Sequence, residues 1–251
     1  MKLLYRELEL KKGKSYAEML LFGDLHLGAK NCMLEKAKDN LNYCLKNGIY
    51  VFTNGDLIEA ATRYSIGDGV YHQMNPQDQV DQIEDLLRPL ADAGLLLNIG
   101  SGNHEARIQK ETGIDISKEI AKTLRVPYTG DSIWSLFRVG KQNYTMYSLH
   151  GSSGAKFSYT KLKSVVDVLH SFDANIVAMG HVHEIMTDWY IKQCVNLRNK
   201  TVEEKKVLVV LTGGYLSYSE SYASSKGLPI TKTGSPKLEL NGKEFEFHCS
   251  Q

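Results

Sequence analysis

The feature that most constrains how this chain can fold is a pattern that recurs five times. A short apolar run ends, within a few residues of a glycine, in aspartate, asparagine or histidine. Met19-Leu20-Leu21-Phe22 leads into Gly23-Asp24-Leu25-His26-Leu27-Gly28, and residues 50–53 lead into Asn54-Gly55-Asp56. Residues 95–100 lead into Gly102-Asn103-His104-Glu105, residues 144–149 into His150-Gly151, and residues 176–179 into Gly180-His181-Val182-His183. Apolar runs of this length, bounded by glycine, read as buried strands. Side chains two apart on an extended backbone point the same way. Asp24 and His26 are therefore expected to leave one strand tip together, with Gly28 freeing the chain to turn away.

The segments between these runs fix their arrangement. Leu34, Ala37, Leu41 and Leu45 fall at helical spacing and Gly48 stops that helix, so residues 16–53 form a strand–helix–strand unit. Such a unit places its two strands side by side and parallel, which allows Asp24 and Asp56 to meet. Asn75-Pro76 is an N-cap followed by proline at the first helical position. The helix it opens carries Val80, Ile83, Leu86, Leu87 and Leu90, has Pro89 near its end, and is closed by Gly94. A further helix is predicted over 115–124, a hairpin over 133–149, and a helix through Leu162, Val165, Val166 and Leu169. Beyond residue 185 the pattern is all β, ending in a hairpin over 237–248 whose Asn241-Gly242 predicts a two-residue type I′ turn. We expect one domain over residues 1–251, with a polar insertion at 59–75 and a β-rich C-terminal part at 185–251. The fold class is α/β.

Composition removes several alternatives. Thirty Lys and Arg against 29 Asp and Glu leave a formal charge of +1, so no global field draws nucleic acid or an anionic membrane, and an anionic substrate must be attracted locally. The four cysteines have neither CxxC nor zinc-finger spacing and are expected to be reduced thiols. The first residues are too charged for a signal peptide and no apolar run approaches the ~20 residues of a membrane span. The expectation is a cytoplasmic protein without membrane association.

In open α/β sheets, sites lie at the carboxyl ends of strands, where all the candidate ligands fall. The five blocks, Asp24-x-His26, Gly55-Asp56, Gly102-Asn103-His104-Glu105, His150-Gly151 and Gly180-His181-x-His183, resemble in kind and order those of the calcineurin-like metallophosphoesterases. The chain looks similar to bacterial and phage-borne members and, distantly, to the Mre11 and SbcD nucleases. The resemblance implies a four-layer sandwich of two mixed β-sheets flanked by helices, and a centre of two divalent transition-metal ions. It assigns Asp24, His26 and His183 to one ion, Asn103, His150 and His181 to the other, and Asp56 to a bridge. Manganese is foremost, with Fe, Zn or Ni as alternatives, since mixed N and O ligation suits all four. Two divalent ions with two carboxylates and a bridging hydroxide keep a net positive charge, which favours a phosphate and in-line attack upon it.

By the same resemblance His104 binds substrate or protonates the leaving oxygen, and Glu59 orients His104 or else is a solvent-exposed carboxylate. Ala60-Ala61 stands where the protein phosphatases of the superfamily carry Arg-Gly, which argues against a phosphoprotein substrate. Arg63 and Arg107 are candidate clamps for a substrate phosphate, the alternative for each being a solvated arginine. His72, His170 and His248 match no block. Tyr64 and Tyr71 could stack on a base or anchor their loop, and Gly213, Gly214, Tyr215, Tyr218 and Tyr222 could border the pocket. The expected activity is hydrolysis of a nucleic-acid or nucleotide phosphodiester. A phosphomonoesterase or cyclic-nucleotide phosphodiesterase, and an inactive metal-bound scaffold, remain as alternatives. A homodimer is left open.

Overall fold

A computed structural model describes residues 3–62, 74–219, 224, 227 and 229–250. Its elements run β1 (Leu3–Leu8), β2 (Tyr16–Phe22), α1 (Leu34–Asn47), β3 (Tyr50–Thr53), α2 (Pro76–Asp92), β4 (Ile99–Gly100), α3 (Glu105–Thr112), α4 (Ile116–Thr123) and β5 (Tyr128–Gly130). They continue β6 (Ser132–Val139), β7 (Gln142–Leu149), α5 (Ser158–Val168), β8 (Ile176–Met179), β9 (Ile185–Asn196), β10 (Thr201–Thr212), β11 (Lys237–Asn241) and β12 (Phe247–Ser250).

Two mixed sheets stack face to face. One has strand order β1-β6-β7-β8-β10-β9 and the other β12-β11-β2-β3. The short pair β4-β5 continues the second sheet through a parallel bridge between Val51 and Leu96. The period of two along β2 explains the layering: Leu20 and Phe22 join the core beneath α1, α2 and α4, while Met19 and Leu21 enter the core between the sheets. That central core also takes Phe52, Phe137, Met146, Ile176 and Val210. A third cluster of Val165, Val177, Val209 and Leu211 seats α5 on the outer face of the six-stranded sheet. Helices, sheet, sheet and helix make the four layers, as the motifs implied.

Local signals set most boundaries. Gly48 ends α1 in the left-handed conformation, and the Asn75 side chain accepts the Asp78 N–H at 2.9 Å to cap α2, with Pro76 at its first turn. Four expectations need correction. The 16–22 strand is preceded by β1, which pairs in parallel with β6 from Leu3 opposite Trp134 to Leu8 opposite Val139. The 95–100 run yields only the two residues of β4 as strand, and α3 forms directly after His104 where no helix was expected. Asn241-Gly242 is not a two-residue turn. Leu240 pairs with Phe247 and the Asn241 N–H reaches Glu246 O, because the loop closes around the buried Tyr144 hydroxyl, 2.6 Å from Asn241 O and 2.9 Å from Glu246 O.

Candidate metal centre

The site grows from the strand tips of both sheets. Phe22 lies opposite Thr53 where β2 and β3 end in parallel, and Leu149 lies opposite Met179 where β7 and β8 end. The Asn54 side chain donates to Leu149 O at 3.0 Å and stitches the two pairs together across the sandwich. Past the tips the backbone is not extended, contrary to the expectation for Asp24 and His26. Asp24, His26, Asp56, His181 and His183 all have φ between 49° and 69°. The left-handed region is unfavourable for residues with a Cβ, and its concentration here marks a loop cluster held by its surroundings. The turn at each tip, rather than strand alternation, aims these side chains at a common point.

Two neighbouring groups of ligand atoms result. Asp24 Oδ1 is 3.3 Å from His183 Nε2 and 3.9 Å from His26 Nε2, and the two imidazole Nε2 atoms are 3.0 Å apart. In the second group His150 Nε2 lies 3.1 Å from Asn103 Oδ1, which is 2.8 Å from His181 Nδ1. Asp56 stands between them, its Oδ2 3.1 Å from His150 Nε2 and 3.8 Å from His26 Nε2. Within each of the sets Asp24, His26, His183 and Asp56, His150, His181, the ligand atoms lie within 4.8 Å of one another. All seven residues assigned to metal by resemblance are therefore brought together.

The donor set fits a cation. Asp56 is 1% exposed, yet its Oδ2 has no hydrogen-bond partner, whereas its Oδ1 accepts the His104 N–H at 2.8 Å. A buried carboxylate oxygen without a donor is costly unless something positive faces it. The imidazole tautomers agree with this. His150 Nδ1 donates to Asn54 O and His26 Nδ1 donates to Glu59 Oε2, each at 2.9 Å, so the Nε2 lone pairs face the centre. Burial opposes charge on His150, but the Asp56 carboxylate facing its Nε2 pushes it to about 10, while Asp56 is held well below the usual carboxylate range by His150 despite its burial. Burial lowers His26, with Glu59 opposing.

Glu59 is not a solvent-exposed carboxylate. Its Oε2 is 2.9 Å from His26 Nδ1 and 3.3 Å from His104 Nδ1, and its carbonyl takes the His104 Nδ1–H at 2.8 Å. Burial raises its proton affinity, but the hydrogen bonds from His104 and His26 win and hold it at about 2. Arg107 reaches the same cluster, with Nη2 2.9 Å from His104 Nε2 and Nη1 3.6 Å from Glu59 Oε1. Arg63, Tyr64, Tyr71, His72 and Tyr222 lie outside the described residues.

Three supporting roles were not assigned from the sequence. Glu105, fully buried behind the site, accepts the N–H groups of Asp56 (3.1 Å), Leu57 (2.7 Å), Ile58 (3.2 Å) and Gly102 (2.9 Å), and so holds two of the motif loops at once. Its position right after His104 was the available signal. A Cβ on Gly102 would fall 2.1 Å from Asp56 Oδ1, so this glycine is required by close approach. Gln79 of α2 fills the space beside Gly28 and accepts the Ala60 N–H at 2.9 Å, bracing the bend after Glu59. Gly214 borders the site, since a Cβ there would meet Asp24 Cβ at 3.0 Å, whereas Tyr215 is buried in the helix-side core with its hydroxyl on Asn40. His170 and His248 are exposed and lie apart from the centre. All four cysteines are free. No helix among the described residues is long and apolar enough to cross a membrane.

No family model and no curated protein sequence matches this chain. Solved structures do. Vacuolar protein sorting 29 from Cryptosporidium parvum is 14% identical over 94% of this chain and 98% of its own, with a TM-score of 0.46. A metallophosphoesterase from Sphaerobacter thermophilus is 12% identical over 94% and 88%, TM-score 0.41. Vps29 from Entamoeba histolytica, in complex with Zn²⁺, is 13% identical over 93% and 97%, TM-score 0.39. The two mixed sheets and the helices on both outer faces make the four-layer sandwich that the motif resemblance implied.

Proposed function

We propose that this protein belongs to the calcineurin-like metallophosphoesterases and hydrolyses phosphodiesters of nucleic acids or nucleotides. Two divalent ions, manganese foremost, would be held by Asp24, His26 and His183 and by Asn103, His150 and His181, with Asp56 available to both groups. The observation that carries this is the unpartnered, buried Oδ2 of Asp56, faced by imidazole nitrogens of both groups. When bound, such ions supply Lewis acidity and an activated water for in-line displacement at phosphorus.

The chain's own residues supply the rest. Glu59 and Asn54 fix His26 and His150 in the tautomer that leaves Nε2 free. His104, whose Nε2 is 3.9 Å from Asp56 Oδ2, acts as the imidazolium, a form that burial opposes but Glu59 and Asp56 favour; once Arg107 turns from Nε2 to the phosphate, the Nε2 proton passes to the departing oxygen, which an alkoxide leaving group requires. Arg107, against that same nitrogen, receives a phosphate oxygen beside the acid. With a nearly neutral chain, attraction of the anion is local to this cluster.

Purified protein loaded with Mn²⁺ is expected to hydrolyse bis-p-nitrophenyl phosphate, and Asp56→Asn to abolish this. Equal rates in the two proteins would overturn the mechanism. Single-stranded DNA, linear duplex DNA, cyclic nucleotides and p-nitrophenyl phosphate then rank the substrates. Turnover of the monoester alone would refute the diester assignment.

A further inference from the structure

The six-stranded sheet ends at β9, and this edge is unlike the others. Strand β9 has twelve residues, against six for β1 and four for β12, and its ladder with β10 runs without a bulge from Ile185 opposite Thr212 to Asn196 opposite Thr201. It contains no proline. Among the described residues, only the base of this hairpin pairs with the rest of the sheet, since β8 pairs with residues 208–211 alone. Trp189, Ile191 and Val195 on one face of β9, and Val202 across from Val195, are 44%, 61%, 64% and 67% exposed. A long edge strand with exposed apolar side chains is a template for strand pairing, and soluble proteins normally blunt it.

The open edge is self-complementary. The Trp189 N–H donates to Asp188 Oδ1 at 2.8 Å and so points away from β10; by the alternation of an antiparallel ladder, the odd-numbered residues of β9 carry the outward donors and acceptors. A second β9 laid antiparallel about a twofold axis at Tyr190 pairs odd with odd residues. It sets Trp189 against Ile191, Ile185 against Val195, Thr187 against Gln193, and Asp188 against Lys192. Each apolar residue meets an apolar one, and each charge meets its opposite, twice over by symmetry. Lys192 Nζ uses one donor on Leu169 O and has others to give.

We propose that a second copy of this chain pairs along β9, forming a continuous sheet across a twofold dimer centred on Tyr190. Such an interface is isologous and closed, so association stops at two.

Sedimentation equilibrium over a concentration series should give a monomer–dimer equilibrium. Ile191→Pro removes an outward donor at an edge where proline is tolerated and should abolish the dimer. Asp188→Lys places two pairs of like charges opposite each other and should weaken it about tenfold, while Asp188→Lys with Lys192→Asp restores it. The register has its own test. Tyr190 faces its own copy at a non-hydrogen-bonded position, where Cα atoms are ~4.5 Å apart, within disulfide reach. In a Cys194→Ser background, Tyr190→Cys should oxidise to a covalent dimer, and Trp189→Cys should not. Far-UV circular dichroism confirms that each variant is folded. A monomer at every concentration, meaning that the edge stays bare or serves a different protein, overturns the proposal. So does a dimer indifferent to Ile191→Pro and Asp188→Lys, or cross-linking at residue 189 rather than 190.

Discussion

Glu59 Oε2 lies 2.9 Å from His26 Nδ1, so one carboxylate on the loop after β3 fixes the ring that projects from the loop after β2. A carboxylate behind a ligating imidazole sets both its tautomer and its basicity, and removing such a partner typically costs about 10- to 100-fold in metal affinity. Glu59→Ala is expected to weaken Mn²⁺ binding by that order in calorimetric titration, and Glu59→Gln, which keeps an acceptor, by less. Equal affinities in all three proteins would refute this role.

His104 touches the same carboxylate but is not among the assigned ligands. Replacing it with alanine should lower kcat by roughly 10²- to 10⁴-fold while the metal content, measured by plasma emission, stays at the wild-type value. Loss of metal along with rate would make His104 a ligand instead.

Metal-free protein should show a pH dependence that metal removes. His150 is raised from 6.5 to about 10, so the stability it contributes is complete below pH 6.5 and is lost as pH rises through 10. Glu59 is lowered from 4.5 to about 2, so its contribution is complete above pH 4.5 and is lost as pH falls through 2. The melting temperature of chelated protein should therefore be highest between these limits and decline toward pH 10. Adding Mn²⁺ at about 100 times its Kd should raise stability by about 2.7 kcal/mol, and a fixed Mn²⁺ concentration should stabilise more at higher pH because ligation displaces protons. A Tm unaffected by chelator would count against a resident metal.

Glu105 accepts four backbone N–H groups with no solvent to replace it. Glu105→Gln puts a donor where one of the acceptors stood, and each stranded donor costs about 1–3 kcal/mol. Urea unfolding of the metal-free variant should show a loss of at least that size. Rescue by metal would be partial, since the Asp56 loop is one of those released. An unchanged midpoint would show that Glu105 is dispensable.

The sequence by itself determined the ligand types, their order and their attachment to strand ends, because hydrophobic runs, glycine and capping residues such as Asn75 act over a few positions. Tyr50 to Thr53 form a strand and Gly48 stops α1 for such local reasons. Only the tertiary structure decided what depends on surfaces distant in the chain. Strand β1 exists because β6 offers an edge to it, the loop after Asn241 closes on the Tyr144 hydroxyl, and Glu105 is buried where four amides from two loops converge. The strained φ of Asp24, His26, Asp56, His181 and His183 belongs to this second kind. No local preference favours it, and it persists because both sheets end at one place and the packing around their tips outweighs the cost of the bends.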